Sequence, residues 1–192
     1  MAAGRHLTAW LLCGQRDTEY ISFPKASMKL DHSTWKSELL FTGRIVQDSD
    51  KTVDPDEAHR RFLRYIELVE EVDGSEGADA LVALFQSVQM KDDYGAYQTT
   101  YRIMGRFPDE LFAKVFVQEL PSLILRQPDW AGDFLVGIAN GQGGKWDYQI
   151  KMFNDAVAAA PAEVQRPIIG YIREQERSGW FRHRVGVLCP SS

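Results

Sequence analysis

A chain of 192 residues is long enough for one domain with a sizeable core, and its 44% hydrophobic and 26% charged residues are the proportions of an ordinary folded protein. This composition excludes a disordered chain and one embedded in a membrane. A formal net charge of -5 and a pI near 5.4 argue against a general nucleic-acid-binding face, so neither nucleic acid nor membrane is expected among its partners.

The chain opens with MAAGRHLTAWLLCGQ, which has the outline of a secretion signal without its parts. The apolar run Leu7–Cys13 is at the short limit for such a segment, one Arg and one His make a thin basic start, and Leu12 is too large to precede a lipid-modified Cys. With no run near the roughly 20 apolar residues that span a bilayer, a cytoplasmic location is expected. Cys13 and Cys189 lie near opposite ends and form neither a disulfide framework nor a zinc pattern, which suits a reducing compartment.

Residues 1–53 read as a small, partly irregular N-terminal segment packed on helices. Leu7–Leu12 fits a short helix or a buried strand, and Tyr20, Ile21 and Phe23 lead extended into Pro24. Asp31 or Ser33 is placed to cap a helix bearing Trp35, Leu39 and Leu40, while Phe41–Val46 fits a strand equally well. The punctuation becomes clear at Asp54-Pro55-Asp56-Glu57, a capping box with Pro at the first helical position. Phe62, Ile66 and Val69 mark the buried face, Gly74 a left-handed stop, and Ser75 a cap for a helix burying Ala78, Leu81, Val82, Phe85 and Val88.

Asp92 or Asp93 then caps a helix whose Tyr94, Tyr97, Tyr101 and Met104 recur at three- and four-residue spacing, with Gly105 as its stop. Pro108, Asp109 and Glu110 open the next, where acids meet the positive end of the helix dipole. Its stripe is Leu111, Phe112, Val115, Phe116 and Leu120, and Pro121 is expected to interrupt it. Pro128-Asp129 opens a helix burying Ala131, Phe134, Leu135 and Ile138. After Gly141–Gly144 follow helices carrying Trp146, Ile150, Phe153 and Val157, then Val164, Ile168, Tyr171 and Ile172, with Pro167 as a kink or near-start. Ser178-Gly179 ends the last, and the tail folds back as a short extended segment. Helix starts spaced roughly 15 to 20 residues apart make a pair about as long as known helix-pair repeats. The fold expected is all-α: a short α-α superhelix, a HEAT-like stack of antiparallel hairpins in a single domain over 1–192, with its core at 54–178 and a tail at 179–192.

Catalytic signals fail their context tests. ANGQGGKW lacks the first glycine and the final Ser/Thr of a phosphate-binding loop and follows a helix, not a strand. His6, His32, His59 and His183 are dispersed without metal-ligand spacing, and Glu70-Glu71 and Asp92-Asp93 are adjacent pairs that point apart on a helix. No catalytic residue, cofactor or metal site is assigned, and no enzyme is expected.

Charge is uneven. Residues 48–93 hold thirteen acids and five bases, while the remainder is slightly basic. Such a sector is either a solvated helical face with acids tuned to helix dipoles, or an electronegative patch that steers a basic protein partner. The candidate contact residues are Glu67, Glu70, Glu71, Asp92 and Asp93, with Trp130 and Trp146 as aromatic anchors, although core packing is the ordinary role of a helical Trp.

The run DYGAYQTTYRIMGRFPDELFAKVFVQELPSLILRQPDWAGDFLVGIAN, followed by a helix and YIREQERSGWF, resembles the HEAT-like helical-repeat immunity proteins of bacterial polymorphic toxin systems over roughly Glu57–Phe181. The shared pattern is an aromatic-rich helix, a Phe-Pro entry, a Leu-Pro break, a Pro-Asp-Trp entry and a late Gly-Trp. The resemblance implies a cytoplasmic protein that binds and neutralises one cognate toxin domain, with no catalytic residues to carry over. The acidic sector would suit a basic, nuclease-like toxin. The alternatives are a helical-repeat adaptor that holds a peptide or partner protein and, further off, an enzyme with distributed carboxylates.

Overall fold

The computed structural model describes residues 29–189. The expectations for Leu7–Leu12, Tyr20–Phe23 and Cys13 lie outside them. Eight helices follow one another: α1 His32–Thr42, α2 Pro55–Glu70, α3 Ala78–Ser87, α4 Ala96–Met104, α5 Asp109–Arg126, α6 Pro128–Ala139, α7 Asp147–Ala159 and α8 Ala162–Arg177, with a 3-10 turn at Arg182–Arg184. No strand occurs among the described residues.

The helices form two layers. In one, α1, α3, α5 and α7 each pack on the next; in the other, α2 packs on α4, while α6 and α8 both lean on α5. Each odd-numbered helix turns back into the following even-numbered one, which is the hairpin stack that the spacing of the helix starts implies. The stack begins earlier than expected. α1 is its first member, with Asp31 as cap accepting from the Thr34 N–H (3.1 Å), and Phe41–Val46 is no strand, because α1 runs to Thr42 and turns at Gly43. Trp35 pins α1 to α2 by donating its indole N–H to the Leu68 carbonyl (2.9 Å).

The core is an aromatic seam between the layers. Phe85 of α3 stacks on Phe116 of α5 at 5.5 Å between ring centroids, Tyr101 of α4 meets Phe134 of α6 edge-on at 4.1 Å, and Phe116 reaches Phe153 of α7 at 5.9 Å. Each fully buried ring of this kind contributes about 1.5–3 kcal/mol, plus the preference of aromatic pairs for tilted and edge-on contact. Two tyrosine hydroxyls tie the first half together. Tyr65 bonds Ser87 (2.9 Å) and Thr100 (2.6 Å), joining α2, α3 and α4. Tyr97 donates to the Gly43 carbonyl (2.6 Å) and accepts from the Gln89 and Met90 amides.

Several expected boundaries are corrected. Pro121 does not interrupt α5, which continues to Arg126: Val117, Leu120 and Leu123 are buried around it, and their packing offsets the lost backbone bond. Pro167, expected as a kink or near the helix start, sits inside α8 about one and a half turns from its first residue, in keeping with the second of these. Ser75 does not cap α3; its N–H goes to the Asp73 carboxylate (2.9 Å), and α3 starts after Gly77. Only half of the Asp54 capping box forms, since Asp54 accepts from the Asp56 and Glu57 amides while the Glu57 carboxylate turns to Arg60 and Arg61. The tail is not extended: it makes the 3-10 turn and buries Phe181 and Leu188. Arg173 donates to the Cys189 carbonyl (2.6 Å), and Asn154 takes the Cys189 N–H (2.8 Å).

Candidate partner-binding surface

The acidic sector is largely consumed within the fold. Glu57 is held below the usual carboxylate range by hydrogen bonds from Arg61 and then Arg60. Glu67 pairs with Arg64 (3.1 Å), which also forks onto Glu38, and Glu70 pairs with Arg102 of α4 (2.9 Å). Glu76 accepts the Asp73 and Gly74 amides, each at 2.9 Å, and Asp50 accepts from Thr52. Exposed ion pairs add little stability. They set arginines against three of the thirteen acids, Glu57, Glu67 and Glu70.

The expected contact residues do not converge. Glu67 and Glu70 are exposed on the last turns of α2. Glu71 is buried beside Lys29, whose backbone N–H it accepts at 3.3 Å. Asp93 is buried too, taking the Tyr97 N–H (2.9 Å) to start α4, and the carbonyl of Asp92 receives the Gln47 amide (2.8 Å). Asp93 therefore belongs to the beginning of α4 and the Glu70–Arg102 pair to its end, roughly 13 Å apart along the axis, so the two acidic pairs form no single patch. Trp130 is core, packed 5.9 Å from Tyr97 and 5.0 Å from Tyr101. Trp146 is half-buried before α7, with the Lys145 ammonium 5.0 Å from its ring and Tyr148 beside it. Of the two anchors, only Trp146 reaches the surface appreciably.

What the surface does offer is a rim of exposed apolar side chains, one of which, Tyr94, was expected on the apolar face of the helix but stands ahead of it, since α4 begins only at Ala96. Phe41, Tyr94 and Leu125 are 54%, 51% and 86% exposed. They come from the last turn of α1, the connection before α4 and the last turn of α5. The Gln89 side chain donates to the Leu40 carbonyl (2.7 Å) and accepts from Arg44 (3.2 Å), and the Gln89 carbonyl receives the Gln127 amide (2.5 Å). The Tyr94 hydroxyl accepts the Asp48 N–H (3.1 Å). Three turns far apart in sequence are thus laced into one edge of the stack, and Arg61 lies 4.7 Å over the Phe41 ring. The signal for Leu125 was present in SLILRQ, where Leu123 and Leu125 cannot both face the core of one helix.

Among the described residues, no cluster of His, Cys, Asp or Glu is arranged to hold a metal ion, and no helix is long and apolar enough to cross a membrane. His59 and His183 are exposed, His32 lies against Trp35, and burial pushes the Cys189 thiol up to about 11, away from nucleophilic reactivity. No protein-family model, curated protein or solved structure matches the chain.

Proposed function

We propose that this chain is a binding protein of the immunity type, which docks on one cognate toxin domain and neutralises it by covering its working surface. The observation that carries this reading is the laced rim of Phe41, Tyr94 and Leu125. Large apolar side chains left exposed on turns that are hydrogen-bonded to one another are the kind of residue that anchors a protein interface. The exposed acids Glu67 and Glu70 and the half-buried Trp146 lie elsewhere on the stack and contribute secondary contacts. With so many acids already engaged within the fold, buried apolar area supplies most of the affinity for a basic toxin, and charge supplies orientation.

Co-expression with the product of the neighbouring coding sequence, followed by affinity purification of the tagged chain, tests this directly. A stoichiometric complex, together with rescue of cell growth, is expected. Leu125→Asp combined with Phe41→Asp should weaken the complex at least about a hundredfold, as loss of two interface anchors does. A chain that recovers no partner and gives no rescue would contradict the proposal.

A further inference from the structure

Residues 185–189 are held on α7 and α8 largely through their backbone. The Gly186 N–H donates to Glu176 Oε1 (2.7 Å). Asn154 donates from Nδ2 to the Val187 carbonyl (3.2 Å) and accepts the Cys189 N–H on Oδ1 (2.8 Å). One amide side chain thus reads two backbone groups at once. Arg173 donates to the Cys189 carbonyl (2.6 Å) and pairs through its other terminal nitrogen with Glu176 (2.9 Å), whose side chain is buried. Of the five side chains, only that of Leu188 is fully buried, and Val185 is 59% exposed.

These contacts fall where the stack leaves a gap. α7 and α8 both rest on α5 but touch each other sparingly, and the segment lies against side chains of both. Its tether is bent. Phe181 is buried, and Arg182 directly after it has φ +46; Cys189, at the far end, has φ +46 as well. A residue with a Cβ is strained in that region. At Gly186, φ +77, nothing lies within 4 Å of the place a Cβ would take, so no other element packs over the segment there. A segment that comes from elsewhere can make the same backbone contacts without the bend.

We propose that the groove between α7 and α8 is a peptide-binding site, filled in the isolated chain by residues 185–189 and taken over by an extended segment of a protein partner. The contacts define the ligand class. It has a small residue in the place of Gly186, an apolar one in the place of Leu188, and free backbone N–H groups in the places of Gly186 and Cys189. Extended peptides are commonly held in this way, with main-chain hydrogen bonds for affinity and a pocket for a side chain. The chain's own segment is then a tethered competitor, at an effective concentration on the order of millimolar. A partner displaces it by presenting its segment from within a docked complex. This groove is separate from the apolar rim and does not depend on it.

The test uses the full chain with its own segment loosened. Leu188→Asp removes the apolar plug, and Cys189→Pro removes the N–H that Asn154 accepts and cannot adopt φ +46. The probe is a fluorescein-labelled peptide of sequence HRVGVLC, followed by polarisation under reducing conditions. Both variants should keep a cooperative urea transition and bind the peptide at least about tenfold more tightly than the parent, whose tethered segment competes. Adding Asn154→Leu, or N-methylating the peptide at its Gly and Cys nitrogens, should weaken binding at least about tenfold, as loss of two hydrogen bonds does. Loss of the cooperative transition in both variants would make the segment part of the core and overturn the proposal. So would a parent that binds the peptide as tightly as the variants, a folded variant that does not bind it, or binding indifferent to N-methylation. A parent that sediments as a dimer, and as a monomer once Asn154→Leu is introduced, would assign the groove to a second copy and overturn the partner assignment.

Discussion

Single hydroxyls and carboxylates decide much of the behaviour of this stack. Tyr97 serves three backbone groups from two turns, so Tyr97→Phe leaves the Gly43 carbonyl and the Gln89 and Met90 amides short of a partner. A loss of about 1–3 kcal/mol in urea-unfolding free energy is expected. Asp133 acts in the opposite sense. Its folded-state value of about 6 lies above the ordinary 3.8, so the folded protein holds the proton more tightly than the unfolded chain does. The charged form therefore penalises folding above pH 6, and the penalty fades as pH falls through 6 toward 3.8. Asp133→Asn should accordingly raise the melting temperature at pH 7.5 and leave it nearly unchanged at pH 4. A variant less stable than the parent at pH 7.5 would show that the carboxylate supports the fold.

At the scale of the element, connections carry as much constraint as helices. Gly74 has φ +98 and approaches the Arg106 backbone so closely that an added methyl would lie 2.6 Å from its carbonyl oxygen; Gly77 has φ +84 with open space around it. Gly74→Ala should cost more than about 2 kcal/mol, combining strain with a backbone clash, and Gly77→Ala only about 1 kcal/mol from strain alone. Equal losses in urea unfolding would mean that the contact between Gly74 and the Arg106 turn is unimportant. Local chemistry made most helices legible. The cap at Asp54, the entry at Pro128 and the stop at Ser178-Gly179 are written in neighbouring residues. Pro121 misled because burial of Val117, Leu120 and Leu123 is a tertiary effect that a local rule for proline does not include. α1 was half-legible, since its cap and Trp35 were recognised but Phe41–Val46 was equally compatible with a strand.

Across the whole molecule, the surface was much less legible than the fold. The excess of acids between Asp48 and Asp93 is plain in the sequence, but which of them are paired depends on Arg102 meeting Glu70 and on Arg64 bridging Glu38 and Glu67, contacts set by how the helices pack. Trp130 and Asp93 were candidates for contact as well as for core packing and helix capping, and both take the interior role. The stack and its apolar rim fit a protein that acts by contact. Calorimetric titration of the purified chain with the domain encoded beside it tests that most directly. A one-to-one complex is expected, weakened by Leu125→Asp and only mildly by added salt. No heat of binding, or a complex indifferent to the rim and abolished by salt alone, would contradict it.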